Sequence, residues 1–198
     1  MKTRLLLLPS LLFLAACSLS GPRPSATWYV LEDQGRTTRL TSPLWTGALL
    51  VRETEAPSFY QTNSLAYSRA AGTRGLYQYA RQAELPATRI ALLIRQRIEQ
   101  SGLFPAVAAL GSGVEGSYQL NTRLLDFYHD AAQAPGEVKL VLEAELVRRS
   151  DAHLLARTRI ETRAPAASHD AQGAAQAANV ALTQALDQLT GWIARLPR

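Results

Sequence analysis

Cysteine, histidine and lysine are scarce in this chain of 198 residues. The single cysteine, Cys17, excludes an intrachain disulfide and any cysteine-rich zinc site. The three histidines, His129, His153 and His169, are scattered and show neither H-x-H nor H-E-x-x-H spacing, so no metal centre and no cofactor are expected. Lysine occurs only as Lys2 and Lys139, and the basic side is otherwise arginine. A formal net charge of +5 is too mild to argue for nucleic acid. What is present is a globular balance, 47% hydrophobic and 19% charged, which excludes wholesale disorder. The chain has no internal repeat, and its length suits one ordinary domain.

The N-terminus reads as an address. Lys2 and Arg4 precede an apolar run, Leu5 to Ala16, that is too short to cross a bilayer core of about 30 Å as a helix. The run ends Leu14-Ala15-Ala16-Cys17, the pattern of a bacterial lipobox. Its chemistry asks for small residues before the cleavage point and a thiol to carry the lipid. Residues 1–16 are then a signal peptide, and Cys17 is the acylated N-terminus. Cleavage leaves 198 − 16 = 182 residues and removes Lys2 and Arg4, lowering the side-chain charge to +3. The alternative is an ordinary signal peptide with Cys17 left free. In lipoproteins of this class an Asp after the cysteine marks retention in the inner membrane, so Ser18 points to the outer membrane. Residues 17–25 (CSLSGPRPS) form a lipidated tether with a polyproline tendency.

Residues 26–198 read as one α+β domain, mainly an antiparallel sheet with two main helices packed on one face. Ala26–Leu31, Leu44–Val51, Ser64–Arg69, Leu76–Ala80 and Ala106–Leu110 are short apolar or β-type runs. Pro86 to Ser101 is a helix, with Ile90, Leu93, Ile94 and Ile98 on one face and Gly102 as its stop. Tyr118 to His129 alternates with period two, and its phase slips near Leu124-Leu125, which predicts a β-bulge. Val138, Leu140, Leu142, Ala144 and Leu146 face inward, with Lys139, Val141, Glu143 and Glu145 on the other side. Leu154, Ala156, Thr158 and Ile160 face inward on the next strand. A turn centred on Asp151 sets pairs whose numbers sum to 302. Leu142 then meets Ile160, Leu146 meets Ala156, Glu143 meets Arg159 and Glu145 meets Arg157. A long helix from Ser168 or Asp170 to about Leu196 closes the chain. Its face is Ala174, Ala178, Ala181, Ala185, Leu189, Trp192 and Leu196, and Gly173 and Gly191 weaken it slightly.

Chemical motifs are few. Gly111 to Gly116 (GSGVEG) matches a dinucleotide fingerprint in letters, but a strand rather than a helix follows, so it reads as a loop. Ser168-His169-Asp170 holds the residue types of a triad side by side, where they cannot form a relay, and helix capping accounts for them better. No G-x-S-x-G elbow is present. An enzyme is therefore not expected. The aromatic cluster Phe59, Tyr60, Tyr67, Tyr77 and Tyr79 has two readings. It is core and sheet-edge packing, or it is a contact surface rimmed by Arg69, Arg74 and Arg81. On the second reading Tyr60, Arg69, Arg74, Tyr77, Tyr79 and Arg81 are the partner-binding residues.

The order of parts resembles a known family. The lipobox is followed by Tyr29-Val30-Leu31, Leu50-Val51-Arg52 and Leu65-Ala66-Tyr67-Ser68, then by Tyr77 to Pro86 and Ser101 to Val107. These stretches are similar to the ABC-type transport auxiliary lipoproteins of the PqiC/YmbA-like group, over essentially the whole chain from Cys17. One departure is Arg81-Gln82-Ala83-Glu84, where that family usually carries Arg-Trp-Ala-Glu. The resemblance implies an outer-membrane lipoprotein without catalytic residues, serving an MCE-type lipid transport system. Its implied partners are an MCE-type periplasmic protein and the inner-membrane transporter of that system. A homo-oligomer is expected to fit, since MCE proteins form rings. The alternative reading is a structural or assembly lipoprotein for an outer-membrane protein or lipopolysaccharide machinery.

Overall fold

The computed structural model describes residues 25–197. The expected signal peptide, Cys17 and nearly all of the expected tether lie outside the described residues. The elements run β1 (Thr27–Tyr29), β2 (Leu49–Val51), a 3-10 turn (Ser58–Tyr60), β3 (Ser64–Ser68), β4 (Gly75–Gln82), α1 (Pro86–Ser101), β5 (Val107–Ala109), β6 (Tyr118–Asp130), β7 (Glu137–Arg148), β8 (His153–Pro165) and α2 (Ala171–Arg195). They build one α+β domain on an eight-stranded, mostly antiparallel mixed sheet.

β6 is the spine of that sheet. One of its edges pairs antiparallel with β7, which pairs antiparallel with β8. Its other edge is shared by two short parallel partners. β2 lies against its start, Leu49 opposite Tyr118, and β3 against its end, Tyr67 opposite His129. β5 adds parallel to β2, β4 antiparallel to β3, and β1 parallel to β4. The parallel pairs add to the antiparallel meander that alternation alone predicts.

The meander register follows from the alternation. Leu142 pairs with Ile160, Glu143 with Arg159, Glu145 with Arg157 and Leu146 with Ala156. The predicted bulge is present: Leu124 pairs with Leu142 and Asp126 with Val141, so Leu125 is the extra residue. Two side chains depart from expectation. A second slip beyond Leu146 pairs Val147 with Leu154, which puts Leu154 on the outward side, 44% exposed, and leaves Leu155 against the core. Val141 belongs to the outward set and is nevertheless fully buried.

Both helices contribute to one core with the inward sheet face. Ile90, Ile94 and Ile98 of α1 are fully buried, Pro86 opens that helix, and Gly102 closes it in the left-handed conformation at φ 70°. α2 presents buried Ala174, Ala178, Ala181, Ala185 and Leu189, with Trp192 and Leu196 partly buried. Alanine lets the helix backbone come close enough for Thr162 Oγ1 to donate to the Ala181 carbonyl at 2.8 Å. Asp170 caps α2, accepting from the Gly173 N–H at 2.8 Å. Gly173 does more than lower helix propensity. A Cβ there would lie 2.3 Å from the Ser168 carbonyl oxygen, so the capping turn needs glycine.

Candidate functional site

β3 and β4 form a hairpin that carries the aromatic and arginine residues singled out from the sequence. Its tip is ordered by small polar side chains. Thr73 Oγ1 donates to the Ala70 carbonyl at 2.7 Å, and Ser68 Oγ to the same oxygen at 2.8 Å. Gly72 takes a positive φ of 73°, which a residue with a Cβ rarely adopts. The strands are not evenly matched. Ser64 pairs with Arg81 and Ala66 with Leu76, so β4 spends 81 − 76 = 5 residue steps against 66 − 64 = 2 on β3. The slack re-aims side chains on β4. Tyr77 stays against the core, while Leu76 and Tyr79 are 41% and 44% exposed.

The six residues fall into different roles. Arg69 is exposed at the tip, its guanidinium 5.1 Å from the Tyr67 ring centroid. Arg74 is held on three sides. It donates to Asp126 Oδ1 at 3.0 Å and to Tyr60 Oη at 3.3 Å, and lies 3.6 Å above the Tyr128 ring. Its partial burial disfavours the charge, but the bonds to Tyr60 and Asp126 outweigh that and raise its pKa. Tyr60 is buried and donates to Asp126 at 3.0 Å, so it braces the arginine from beneath. Arg81 Nη1 donates to the carbonyls of Tyr77 and Ala80, at 2.9 and 3.0 Å, and so straps the widened part of β4.

Tyr77 joins the hairpin to β6. His129 Nε2 faces the Pro135 carbonyl at 3.0 Å and can only donate to it, so Nδ1 accepts from the Tyr77 hydroxyl at 2.7 Å. His129 is 1% exposed, and this burial lowers its pKa. Burial likewise raises that of Tyr77. The second histidine near His129 is His169, with ring centroids 5.9 Å apart. His153, at the start of β8, pairs with Arg148 at the other end of the meander.

The remaining motifs fall into structural roles. Gly111 and Gly113 take positive φ in a loop that leads into β6, with no helix behind them. Ser168 Oγ donates to Asp170, the α2 cap. Glu143, Glu145, Arg157 and Arg159 lie on the outward meander face. There Glu145 pairs with Arg157, and Arg123 reaches Glu143 at 3.4 Å. Among the described residues no cluster of three or more His, Cys, Asp or Glu could hold a metal ion. A narrow slot beneath the hairpin, lined by Leu65, Gln82, Phe127, His129 and Ala178 among others, has about 20 Å³ of free volume, room for about one water molecule.

Sequence reasoning missed one ionic centre. Arg97 of α1 is 1% exposed and lies within the core. Its guanidinium takes both carboxylate oxygens of Asp33, through Nε at 2.7 Å and through Nη2, and its Nη1 pairs with Asp187 on α2. Thr183 Oγ1 also donates to Asp33 at 3.2 Å. Gly35 makes the space, since a Cβ there would lie 1.8 Å from Arg97 Nη2. The signal was available: Arg97 stands three residues after Ile94 and four after Leu93, inside the apolar stripe of the helix.

A family model described as the ABC-type transport auxiliary lipoprotein component matches residues 29–190, and the chain belongs to that family. A solved structure from Xanthomonas campestris, of the DUF330 family, is similar at 26% identity and a TM-score of 0.75. The match covers 84% of this chain and 94% of that one. An uncharacterized protein shares the fold at 15% identity and a TM-score of 0.63, covering 86% of this chain and 97% of its own. No curated protein matches the chain.

Proposed function

We propose that this auxiliary lipoprotein is the outer-membrane end of an MCE/ABC-type intermembrane lipid transport system, and that it acts by docking rather than catalysis. Family membership over residues 29–190 carries this reading. In it, Cys17 bears the lipid, residues 18–25 tether the domain to the periplasmic face of the outer membrane, and the β3–β4 hairpin receives an MCE-type periplasmic protein. A short tether raises the effective concentration of any partner that reaches that surface. Arg69 and Arg74 supply the charged contacts at the hairpin tip, and Tyr60 and Tyr77 keep the tip rigid. Tyr79 and Arg81 continue the exposed strip toward β1. Arginine and tyrosine are the residue types that anchor protein interfaces.

The test is co-purification from native membranes with identification of what accompanies the protein. Arg69→Glu should lose the partner with an unchanged melting temperature, because Arg69 is exposed and outside the core. Arg74→Glu should lose the partner and stability together, because Arg74 is bound to Tyr60 and Asp126. Full retention of an MCE-type partner by Arg69→Glu, or its absence from the wild-type preparation, removes the docking reading. Cys17→Ala should leave the protein soluble in the periplasm or uncleaved in the inner membrane. Unchanged recovery with the outer membrane would show attachment by something other than the lipid.

A further inference from the structure

The corner of the sheet formed by β1 and β4 carries an exposed tryptophan that the docking reading does not use, beside the end of its strip. Trp28 is 60% exposed, the most exposed large hydrophobic residue among those described. It pairs with Arg81 across the parallel β1–β4 ladder, so the two side chains share a face. Ala80 and Gln82 are buried, which turns the half-buried Arg81 to the opposite side, and Tyr79, in the widened stretch of β4, is 44% exposed. Trp28 and Arg81 are thus cross-strand neighbours at the margin of the sheet, with the exposed Tyr79 two residues before Arg81 on β4. β1 is the last strand on that side, and its outer edge has no strand partner among the described residues.

The position of this corner along the chain selects its occupant. Trp28 is 28 − 17 = 11 residues after Cys17. An extended chain spans at most about 3.6 Å per residue, so the ring's backbone is never more than about 40 Å from the acylated cysteine. On the anchored reading, the corner is therefore the first part of the folded domain that the tether reaches along the chain. Tryptophan and tyrosine favour the headgroup level of a bilayer, where an apolar ring body and a polar N–H or O–H are both accommodated. Arg81 holds Nη1 on the Tyr77 and Ala80 carbonyls, and its other guanidinium N–H groups are the donors that a lipid phosphate would take.

We infer that the Trp28–Tyr79–Arg81 corner is a second membrane contact, which lays the β1 margin on the lipid surface and fixes how the domain stands on its anchor. This rests on the anchored-lipoprotein reading above. It divides the exposed strip: the hairpin tip faces a protein, and the tether side faces the bilayer.

The experiment uses the full lipidated chain in vesicles of phosphatidylethanolamine and phosphatidylglycerol doped with brominated phosphatidylcholine, which quenches tryptophan in contact with lipid. Trp45 is 3% exposed and Trp192 is packed against the core, so Trp28 is the ring within reach. Wild type should float with the vesicles and lose about a third of its emission, one tryptophan of three. Trp28→Phe should float equally and show no such loss. Flotation without quenching overturns the inference and leaves the anchor standing. Quenching that persists in Trp28→Phe also overturns it, as does a Trp28 emission shift that follows protein concentration rather than lipid, which would assign the corner to a second copy. Failure of wild type to float removes the anchor reading and this inference with it.

Discussion

The β6–β8 meander and the short-strand half of the same sheet are held by different means. In the meander, strands of twelve and thirteen residues are neighbours in sequence and stay in register nearly end to end. In the other half, β1, β2 and β5 have three residues each and pair in parallel with strands far along the chain. So few ladder bonds cannot hold that half alone, and side chains complete it. Arg97 clamps Asp33 to both helices, and Arg89 Nε donates to the Leu31 carbonyl at 2.8 Å. Asn179 and Thr183 of α2 accept from the backbone N–H groups of Glu32 and Gln34, at 3.1 and 2.9 Å. One half is thus specified by local alternation and the other by contacts between distant segments.

Arg97→Ala should separate the halves most sharply. It leaves Asp33, largely buried, without its partner, and removing one member of a buried pair costs about 3–5 kcal/mol. Amide exchange should speed up first in residues 27–35, with the β6–β8 amides still protected. Equal loss of protection in the meander would show that the halves unfold as one unit. Leu142→Ala acts on the other side of the comparison. It empties a fully buried site at the centre of β7 and should cost about 2–5 kcal/mol by chemical denaturation. A cost near zero would place the core elsewhere.

Asp170→Ala removes the α2 cap and should cost about 1 kcal/mol, with Asp170→Asn restoring most of it. Acid probes the link between the halves, where Tyr77 of the hairpin meets His129 of the meander. Burial lowers the His129 pKa from its ordinary 6.5, so below that value the unfolded chain binds the proton more readily than the fold does. The contribution is fully present above pH 6.5 and is lost as pH falls below it. His129→Gln should flatten this part of the melting temperature profile, and an unchanged slope would exclude His129 as its source. The smallest effect belongs to the outward ladder. A double-mutant cycle on Glu145 and Arg157 should give about 0.2–1 kcal/mol, decreasing with added salt.

Period-two alternation and a Pro-to-Gly helix were enough to place α1, the three long strands, the bulge at Leu125 and the Leu142–Ile160 register, because each depends on neighbours in sequence. The family was legible for the same reason, since its motifs are short and contiguous. Tertiary structure decided the rest. Parallel pairing of β1, β2, β3 and β5 joins segments separated by long connections, and no local pattern encodes a partner so distant. Arg97 is a core residue only because Asp33 and the bare backbone of Gly35 from one loop and Asp187 from α2 converge on it from two distant parts of the chain. Of the six site residues, residue type alone could not distinguish braced from free. Tyr60 and Arg74 are held because β6 supplies Asp126 and Tyr128, whereas Tyr79 is exposed because β4 carries more residues than β3 can pair. Local chemistry fixed the elements, and long-range contact fixed which of their side chains remained at the surface.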